Sequence, residues 1–354
     1  MKALMYYGKE DVRIEDIQEP QIRPGTVKIK IAYDGICGSD LHLYHDGPGA
    51  PAPTADTPHP LSGETLPVVF GHEFSGTVAQ IADDVEGYTV GDEVCVEPLL
   101  VCGECAACRA GKYNLCEKMG FIGISGGGGG LSEYIVVQSR FVHKTGAMGL
   151  EQAAMIEPLS VTVHAVRHSG ADKADPGVAV IGGAGPIGLF TAAVLRAYGH
   201  TTIVSEVSEV RRNKASETGV ADYVVDPSKE DLNAKVREVS EGKGATFAFD
   251  AAGIGSVVDQ LLDTLAPDGR LEIIAIHTRP YELAIPRLMM QDRSMGASIG
   301  YANDHPESIR LVNEGLIDLN PFITSKIKVE DIVEQGYNKL LNDRSEVKIL
   351  VSMN

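Results

Sequence analysis

The chain has no tryptophan, no apolar run long enough to span a membrane, and fewer basic than acidic residues. A membrane helix needs about 18 or more consecutive apolar residues, and the sequence contains no such run. The first residues, Met1 to Gly8, also lack the long apolar core of a secretion signal. We therefore expect no membrane span and a cytoplasmic location. Without tryptophan, any intrinsic fluorescence must come from tyrosine.

Basic residues are scarce, with 31 Lys and Arg against 49 Asp and Glu, which gives a net charge of -18. Such a field repels phosphate backbones, so nucleic acid is not an expected partner. The 354 residues are 44% hydrophobic, enough for two domains with substantial cores.

Cysteines are few and clustered, with only six in the chain. In a long chain without a secretion signal, a cluster indicates metal ligands rather than disulfides. Four of them follow the spacing C-x2-C-x2-C-x7-C, at Cys102, Cys105, Cys108 and Cys116. Four thiolates so close in sequence predict one tetrahedral structural zinc, with an iron–sulfur cluster as the alternative. We expect Cys95, which lies within an apolar run, to be a core residue.

A second set of metal-binding residue types lies nearer the N-terminus, in Cys37-Gly-Ser-Asp-Leu-His42 and Gly71-His72-Glu73. Thiolate, imidazole and carboxylate form the ligand set that zinc prefers at a catalytic site. Either segment alone is more often a buried thiol or a surface His-Glu pair. Their significance depends on the rest of the chain.

Two segments are predicted to lack regular structure. Residues 45–66 contain five Pro and three Gly. They form either a mobile surface loop or a loop over a substrate cleft. The five glycines at 126–130 predict a flexible loop tip.

The region from Leu150 to Val166 is expected to be helical and carries an acidic residue, Glu157, in an apolar stretch. Burying an unpaired carboxylate is costly, and a metal or cationic partner would remove that cost. The alternative is an exposed carboxylate at a helix start.

A nucleotide-binding motif follows a short apolar strand at 177–181. Gly183, Gly185 and Gly188 match G-x-G-x-x-G, and a helix is expected directly afterwards. Glycines let the backbone approach a pyrophosphate, and a helix N-terminus offers amide donors. Pro186 and Ile187 lie within this motif, where the helix is expected to begin. Proline is well tolerated there, because the N–H that it lacks would have no partner in a first helical turn.

The residues after the next strand bear on which dinucleotide is bound. Glu206 lies about twenty residues beyond the glycines, where a carboxylate accepts ribose hydroxyls and repels a 2′-phosphate. This position favours NAD over NADP. Arg211 and Arg212 follow closely and could reverse the preference. Further strand–helix alternation predicts a doubly wound parallel sheet.

Taken together, these three signatures and their order resemble the zinc-dependent medium-chain dehydrogenase/reductases. The similarity covers nearly the whole chain and, at residues 37–42, 59–73 and 156–161, is greatest to the (R,R)-2,3-butanediol dehydrogenase branch. It implies an α/β fold, with a GroES-like β-rich catalytic domain at 1–150 carrying the zinc lobe 102–116. A Rossmann NAD-binding domain would span 151–292, and residues 293–354 would complete its sheet and return to the catalytic domain.

The resemblance also implies a catalytic zinc held by Cys37, His72 and Glu157, with Glu73 as an alternative ligand. Asp40 would orient His72 through its other ring nitrogen. As a hypothesis, Ser39 takes the alcohol proton and passes it through the nicotinamide ribose to His42, near the surface, because histidine exchanges protons near neutral pH. Lys348 would either meet the pyrophosphate or be a solvated charge.

The expected reaction is oxidation of (R,R)-2,3-butanediol to acetoin and its reverse, with NAD and with one catalytic and one structural zinc per chain. Polyol and L-threonine dehydrogenases of the family are alternatives. A zinc-ribbon binding module or a zinc-free reductase fits the combined motifs less well. The family's edge strand, near residues 295–301, suggests a homodimer or homotetramer.

Overall fold

The computed structural model describes residues 1–353 and divides the chain into two compact units. The first unit contains Met1–Glu157 and the segment from Ile323 onward, and the second contains Pro158–Phe322. The first boundary therefore falls after residue 157 instead of the predicted 150, and the chain returns to the first unit at Ile323, within the predicted segment 293–354.

The first unit is built mainly from strands. Its strands are β1 (Lys2–Gly8), β2 (Asp11–Asp16), β3 (Thr26–Gly35), β4 (Val68–Val69), β5 (Phe74–Ile81), β6 (Glu93–Val96), β7 (Leu99–Leu100), β8 (Gly120–Phe121), β9 (Tyr134–Gln138) and β10 (Val142–Lys144). Its first helices are α1 (Gly38–Asp46), α2 (Ala106–Arg109) and α3 (Leu150–Ala153), and α4 (Ile156–Ser169) begins at its boundary.

The second unit alternates strands and helices. Its strands are β11 (Val178–Gly182), β12 (Thr201–Ser205), β13 (Tyr223–Val225), β14 (Ala245–Asp250), β15 (Leu265–Ile273) and β16 (Ser294–Ala297). Its helices after α4 are α5 (Pro186–Ala197), α6 (Glu209–Glu217), α7 (Leu232–Val239), α8 (Gly255–Thr264), α9 (Pro286–Met289) and α10 (His305–Asn313). The chain then completes the first unit with β17 (Ile323–Lys328), α11 (Asn338–Asn342) and β18 (Lys348–Ser352).

The main sheet of the first unit has seven strands in the order β10-β6-β5-β3-β18-β17, with β9 also paired to β3. Smaller sheets, β2-β1-β4 and β7-β8, complete it. Alternating apolar residues of β3, Val27, Ile29 and Ile31, are buried in one core cluster with Phe74 and Val94. This alternation is the period of a strand with one buried face.

Strand β3 positions the site because it runs between β5 and β18. Asp34 is paired with Phe74 on β5 and with Val351 on β18. The backbone N–H of Gly35 donates to the carbonyl of Glu73 at 2.7 Å. The end of β3, the start of β5 and the middle of β18 are therefore held together by backbone pairing.

The second unit contains a six-stranded parallel sheet in the order β13-β12-β11-β14-β15-β16, which confirms the predicted doubly wound sheet. Strand β11 is buried along its whole length, as expected for a strand with helices on both faces. The strand order reverses between β11 and β14, which is where such sheets bind dinucleotides.

The glycine segment 126–130 differs from the predicted flexible tip, because Gly129 and Gly130 are packed against the chain around Gly71. Gly130 N–H donates to the Gly71 carbonyl at 2.7 Å. A Cβ on Gly129 would lie 2.3 Å from the Phe70 carbonyl oxygen. Only glycine permits this approach between two backbones.

The predicted lack of helix and strand at 45–66 is confirmed for residues 47–66 and is wrong for His45 and Asp46, which end α1. Side chains of residues 47–66 form hydrogen bonds with Ser125 and with Gly127 of the glycine segment. Ser62 Oγ donates to the Ser125 carbonyl at 2.6 Å, and Glu64 accepts from the Gly127 N–H at 2.8 Å. In place of the single helix predicted from 150 to 166, α3 and α4 are separated by Ala154 and Met155. Within residues 1–353, no helix has the length and apolar character needed to cross a membrane.

Candidate active site

Three side chains with metal-binding atoms meet where β3 ends and β5 begins. Cys37 follows β3, and His72 and Glu73 precede β5. The thiol sulfur, an imidazole nitrogen and a carboxylate oxygen of these residues all lie within 4.8 Å of one another. His72 and Glu73 are buried, and Cys37 is partly exposed. Two segments that are remote in sequence thus supply one compact group of ligands.

Asp40 connects this group to the first turn of α1. Its Oδ2 accepts the backbone N–H of Cys37 at 2.9 Å, and its Oδ1 lies 3.3 Å from His72 Nδ1. Because Asp40 faces Nδ1, the other ring nitrogen, Nε2, is left for a metal. A carboxylate behind a ligand histidine orients the ring and selects its tautomer.

Ser39 and His42 lie on α1 with very different exposure. Ser39 Oγ is 3.2 Å from His72 Nε2, so its hydroxyl reaches the metal-facing side of the imidazole. His42 is exposed, and its Nδ1 lies 3.3 Å from Asp46. Residues three apart lie on the same side of a helix. A partly buried hydroxyl and a solvent-exposed imidazole therefore lie on the same side of one helix.

The carboxylate of Glu73 forms a buried ion pair with the ammonium group of Lys348 on β18. The Nζ–Oε2 distance is 2.5 Å, and Nζ also donates to the Ile36 carbonyl at 3.1 Å. Lys348 is 2% exposed and Glu73 is 0% exposed. The prediction that Lys348 meets the pyrophosphate or is a solvated charge thus differs from the structure, because its ammonium group is buried on Glu73.

Gly35 makes room for this ion pair. A Cβ at position 35 would lie 2.4 Å from Glu73 Oε2 and 3.3 Å from Lys348 Cδ. Position 35 must therefore be glycine for the ion pair between Glu73 and Lys348 to form. This close approach is a packing requirement that the sequence pattern alone does not reveal.

The electrostatics of the group favour a bound cation. Burial lowers the pKa of His72, but Asp40 and Cys37 outweigh it and hold that pKa well above its usual value. Burial likewise lowers the pKa of Lys348, and the negative charges of Glu73, Cys37 and Glu157 raise it overall. Within residues 1–353, Glu73 Oε1 is buried and has no hydrogen-bond partner. A partly exposed cysteine sulfur, a buried imidazole and an unsatisfied buried carboxylate oxygen form a set of donors that fits a zinc ion.

Glu157 is buried at the start of α4. Its charge acts on Lys348, which places it near the same group of residues. The three ligand atoms that lie within 4.8 Å belong to Cys37, His72 and Glu73. The roles of Glu157 and Glu73 as third ligand therefore both remain predictions.

Asp34 is a buried residue of the site region that sequence reasoning missed. Both of its carboxylate oxygens lack a hydrogen-bond partner among residues 1–353. A Cβ on Gly130 or Gly71 would lie 2.1 Å or 2.7 Å from them. Burial and the charge of Asp40 raise the pKa of Asp34 well above its usual value. The sequence offered one signal that could have identified Asp34, namely an acidic residue three positions before the predicted ligand Cys37.

The four-cysteine lobe also brings its sulfur atoms together. All four lie within 4.8 Å of one another, with Cys102 Sγ 3.5 Å from Cys116 Sγ and 3.9 Å from Cys108 Sγ. Four sulfurs at about 2.3 Å from one zinc are separated by about 3.8 Å. Backbone N–H groups of Cys108 and Glu117 lower the pKa of Cys105 to about 6, which favours the thiolate. The lobe therefore fits a tetrahedral zinc, and residues 1–353 contain no disulfide.

The remaining cysteine, Cys95, is buried in β6, which confirms its prediction as a core residue. Burial raises its pKa to about 12, so at pH 8 it should remain a thiol. We expect five of the six thiols to react with a chromogenic disulfide reagent after zinc is chelated, and Cys95 to react only after denaturation. The measurement is the absorbance time course at pH 8. A sixth thiol reacting with the others before denaturation would contradict this.

In the second unit, the glycine motif lies between β11 and α5. Gly183 has φ +102°, and its N–H donates to the Ser205 carbonyl at 2.8 Å. A Cβ on Gly188 would lie 2.0 Å from the Gly183 carbonyl oxygen, so glycine lets α5 pack closely. A Cβ on Gly185 would meet nothing within 4 Å. Pro186 begins α5 with Ile187 in its first turn. The loop thus leaves open space at a helix N-terminus, as a pyrophosphate requires.

Glu206 lies directly after β12 beside this loop. Its Oε2 accepts the Ala184 N–H at 2.9 Å, and Arg211 Nη1 lies 3.9 Å from the same oxygen. Arg212 instead contacts Asp226 at 3.0 Å and donates to the Glu206 and Val207 carbonyls. The two arginines thus have different surroundings, and only Arg211 faces the Glu206 carboxylate.

Comparison with known proteins finds the same architecture elsewhere. Family models described as "Alcohol dehydrogenase GroES-like domain" and "Zinc-binding dehydrogenase" match residues 23–147 and 186–314. The (R,R)-butanediol dehydrogenase of Neisseria gonorrhoeae is 45% identical to this chain, with all of both chains covered.

Solved structures show the same similarity. The crystal structure of 2R,3R-butanediol dehydrogenase from Bacillus subtilis matches with a TM-score of 0.92 and 40% identity, covering 100% of this chain and 99% of that one. A putative zinc-binding dehydrogenase from Sinorhizobium meliloti, bound to NADP, matches with a TM-score of 0.87 and 28% identity, covering 99% and 98% of the two chains.

Proposed function

Because this chain belongs to the zinc-binding dehydrogenases with a GroES-like alcohol dehydrogenase domain, we propose that it oxidises a vicinal secondary alcohol with NAD. The proposed substrate is (R,R)-2,3-butanediol, with acetoin as product, and the reverse reduction of acetoin or diacetyl. The relatives named (R,R)-butanediol dehydrogenase, at 45% and 40% identity, support this substrate.

The observation that carries the proposal is the buried group of Cys37, His72 and Glu73. Cys37 and His72 would hold a catalytic zinc, together with Glu157 or Glu73. When bound, zinc supplies a Lewis acid that lowers the pKa of the substrate hydroxyl, and the nicotinamide accepts the hydride. A second, structural zinc would be held by the four cysteines of the lobe. Asp40 keeps the imidazole of His72 in place.

The chain's own groups provide a route for the proton. We propose that Ser39 Oγ, 3.2 Å from His72 Nε2, accepts the hydroxyl proton of the substrate as it gives up its own proton, so that the serine stays neutral. His42, which is exposed on the same helix, would then exchange it with water. Both residues belong to α1, so a single helix would carry both steps of the route.

We propose NAD as the cofactor because Glu206 lies beside the glycine loop, where the adenosine ribose binds in this fold. Glu206→Ala should reduce the NAD/NADP ratio of kcat/KM by about tenfold, which corresponds to about 1.4 kcal/mol. Steady-state kinetics with both cofactors measure this. The control is Glu209→Ala, which removes an exposed carboxylate three residues away on α6. An unchanged ratio would indicate that Arg211 governs the preference.

The direct test of the proposed function is the initial rate of NADH formation with (R,R)-2,3-butanediol and, separately, with D-sorbitol, on zinc-replete protein. A large preference for the diol is expected. A preference for sorbitol would retain the zinc chemistry but assign the chain to polyol oxidation. Activity on neither would refute the proposed substrate class.

We also propose that the enzyme is a homodimer, or a tetramer made of two such dimers. Strand β16 lies at the edge of the six-stranded sheet, where its backbone groups are available to another strand. The exposed apolar side chains Met295 and Ile299 are on or just after this strand. Sedimentation of the purified protein tests this, and a monomer would refute it.

A further inference from the structure

A buried carboxylate ends β14 in the second unit. Asp250 is 0% exposed, and its Oδ1 accepts the backbone N–H groups of Ala252 and Gly253 at 3.0 Å and 3.2 Å. These bonds define the turn that follows the strand. A buried carboxylate requires further donors, because an uncompensated charge in the interior is costly.

The further donor comes from a different segment. His277, after β15, lies with its Nε2 2.6 Å from Asp250 Oδ2. Because a carboxylate can only accept, Nε2 carries the proton of this bond. The backbone carbonyl of Asp250 also accepts the N–H groups of Ile274 and Ala275, each at 3.0 Å. One residue therefore fastens the segment after β15 to the turn after β14.

Both segments follow the carboxyl ends of their strands, on the same side of the sheet as the glycine loop after β11. Ala251 N–H donates to the Gly182 carbonyl at 3.0 Å, directly before the loop. Strands β12 and β13, with Glu206, lie on the adenosine side of the reversal in strand order. Strands β14 and β15 lie on the other side, where this fold places the second nucleotide half. Residues joining the ends of β14 and β15 therefore face the nicotinamide half, an assignment that rests on the proposed function.

Two exposed apolar side chains are carried by the fastened segments. Ile254 follows the β14 turn and Ile276 precedes His277, and they are 54% and 84% exposed. The segments are closely packed, since a Cβ on Gly253 would lie 2.7 Å from the Ile276 carbonyl oxygen. Apolar side chains left in solvent at a ligand-binding edge gain stability when a planar ring covers them.

We propose that Asp250 and His277 are positioning residues for the nicotinamide half of the cofactor. The pair sets the position of the segment after β15 relative to the turn after β14. These are the two backbone segments between which the nicotinamide nucleotide is received. Neither side chain takes part in the hydride transfer itself.

The test separates the two halves of the cofactor by comparing NADH with ADP-ribose, which lacks the nicotinamide. Both ligands are titrated calorimetrically into the zinc-replete protein. His277→Ala should raise the Kd of NADH by about tenfold, as expected for a lost hydrogen bond to a charged group. The Kd of ADP-ribose should stay within about twofold. His277→Gln, whose amide nitrogen can still donate to Asp250, should restore NADH binding to within about threefold.

A matched control is a second histidine–carboxylate pair in the same unit. His168 Nδ1 lies 2.6 Å from the buried carboxylate of Glu272 in β15, and this pair joins α4 to the strand instead of joining the segments after β14 and β15. His168→Ala should leave both dissociation constants unchanged. An equal rise for NADH and ADP-ribose in His277→Ala would show a general structural role and overturn the proposal, as would no rise for NADH. Failure of the unmodified protein to bind NADH would instead refute the proposed function.

Discussion

Replacing Cys37 with alanine is expected to abolish turnover while leaving the four-cysteine lobe filled with zinc. Cys37 supplies the only thiol in the group with His72 and Glu73. Loss of a thiolate ligand removes the Lewis acid from the reacting hydroxyl. We expect kcat/KM to fall by about a thousandfold or more, or about 4 kcal/mol of transition-state stabilisation. Zinc content measured by atomic emission should fall from about two ions per chain to about one.

The matched control for this prediction is Cys95→Ala, which removes a buried thiol outside both metal groups. That variant should keep both zinc ions and its activity, at the cost of a modest loss of stability. Turnover surviving in Cys37→Ala would contradict the assignment of this group as the catalytic centre. An unchanged zinc content with lost activity would mean that Cys37 acts without binding zinc.

Lys348→Met is expected to destabilise the first unit strongly. The substitution leaves the carboxylate of Glu73, 0% exposed, without its ion-pair partner. Breaking a buried pair from one side costs about 3–5 kcal/mol because the remaining charge is uncompensated. Urea unfolding of the zinc-replete protein, followed by circular dichroism and tyrosine fluorescence, measures the loss. Activity should fall as well, because the same carboxylate lies beside Cys37 and His72.

The double variant Lys348→Met with Glu73→Gln distinguishes charge from packing. Removing both charges leaves no uncompensated ion, so the double variant should be more stable than Lys348→Met alone. A coupling free energy near zero in this cycle would show that the two side chains act independently. In that case the loss in Lys348→Met would come from packing of the lysine stem.

The motifs that depend on short-range spacing could be recognised from the sequence. The four cysteines lie within fifteen residues, so their spacing alone brings the thiols together, and the structure places all four sulfurs within 4.8 Å of one another. The glycine motif is likewise local, since a strand, a tight turn and a helix N-terminus are encoded by adjacent residues. Alternation of strands and helices predicted the parallel sheet for the same reason.

The contact of Lys348 with the catalytic group depends on long-range strand pairing, which the sequence pattern does not show. Lys348 lies 275 residues from Glu73, and only the placement of β3 between β5 and β18 brings the two together. Sequence reasoning therefore assigned Lys348 to the pyrophosphate or to solvent. The burial of Asp34 against Gly71 and Gly130, and the bond between Asp250 and His277, were inaccessible for the same reason.

The glycine segment 126–130 illustrates the difference most directly. A run of glycines has high backbone freedom in the unfolded chain, which predicts flexibility. In the folded protein the missing side chains permit close contact with the chain around Gly71. The sequence by itself determined the four-cysteine zinc motif, the G-x-G-x-x-G nucleotide-binding motif and the strand–helix alternation of the second unit, because local spacing encodes them. These local features were also sufficient to identify the family. Tertiary structure decided which distant charges meet, because strand pairing depends on the whole chain.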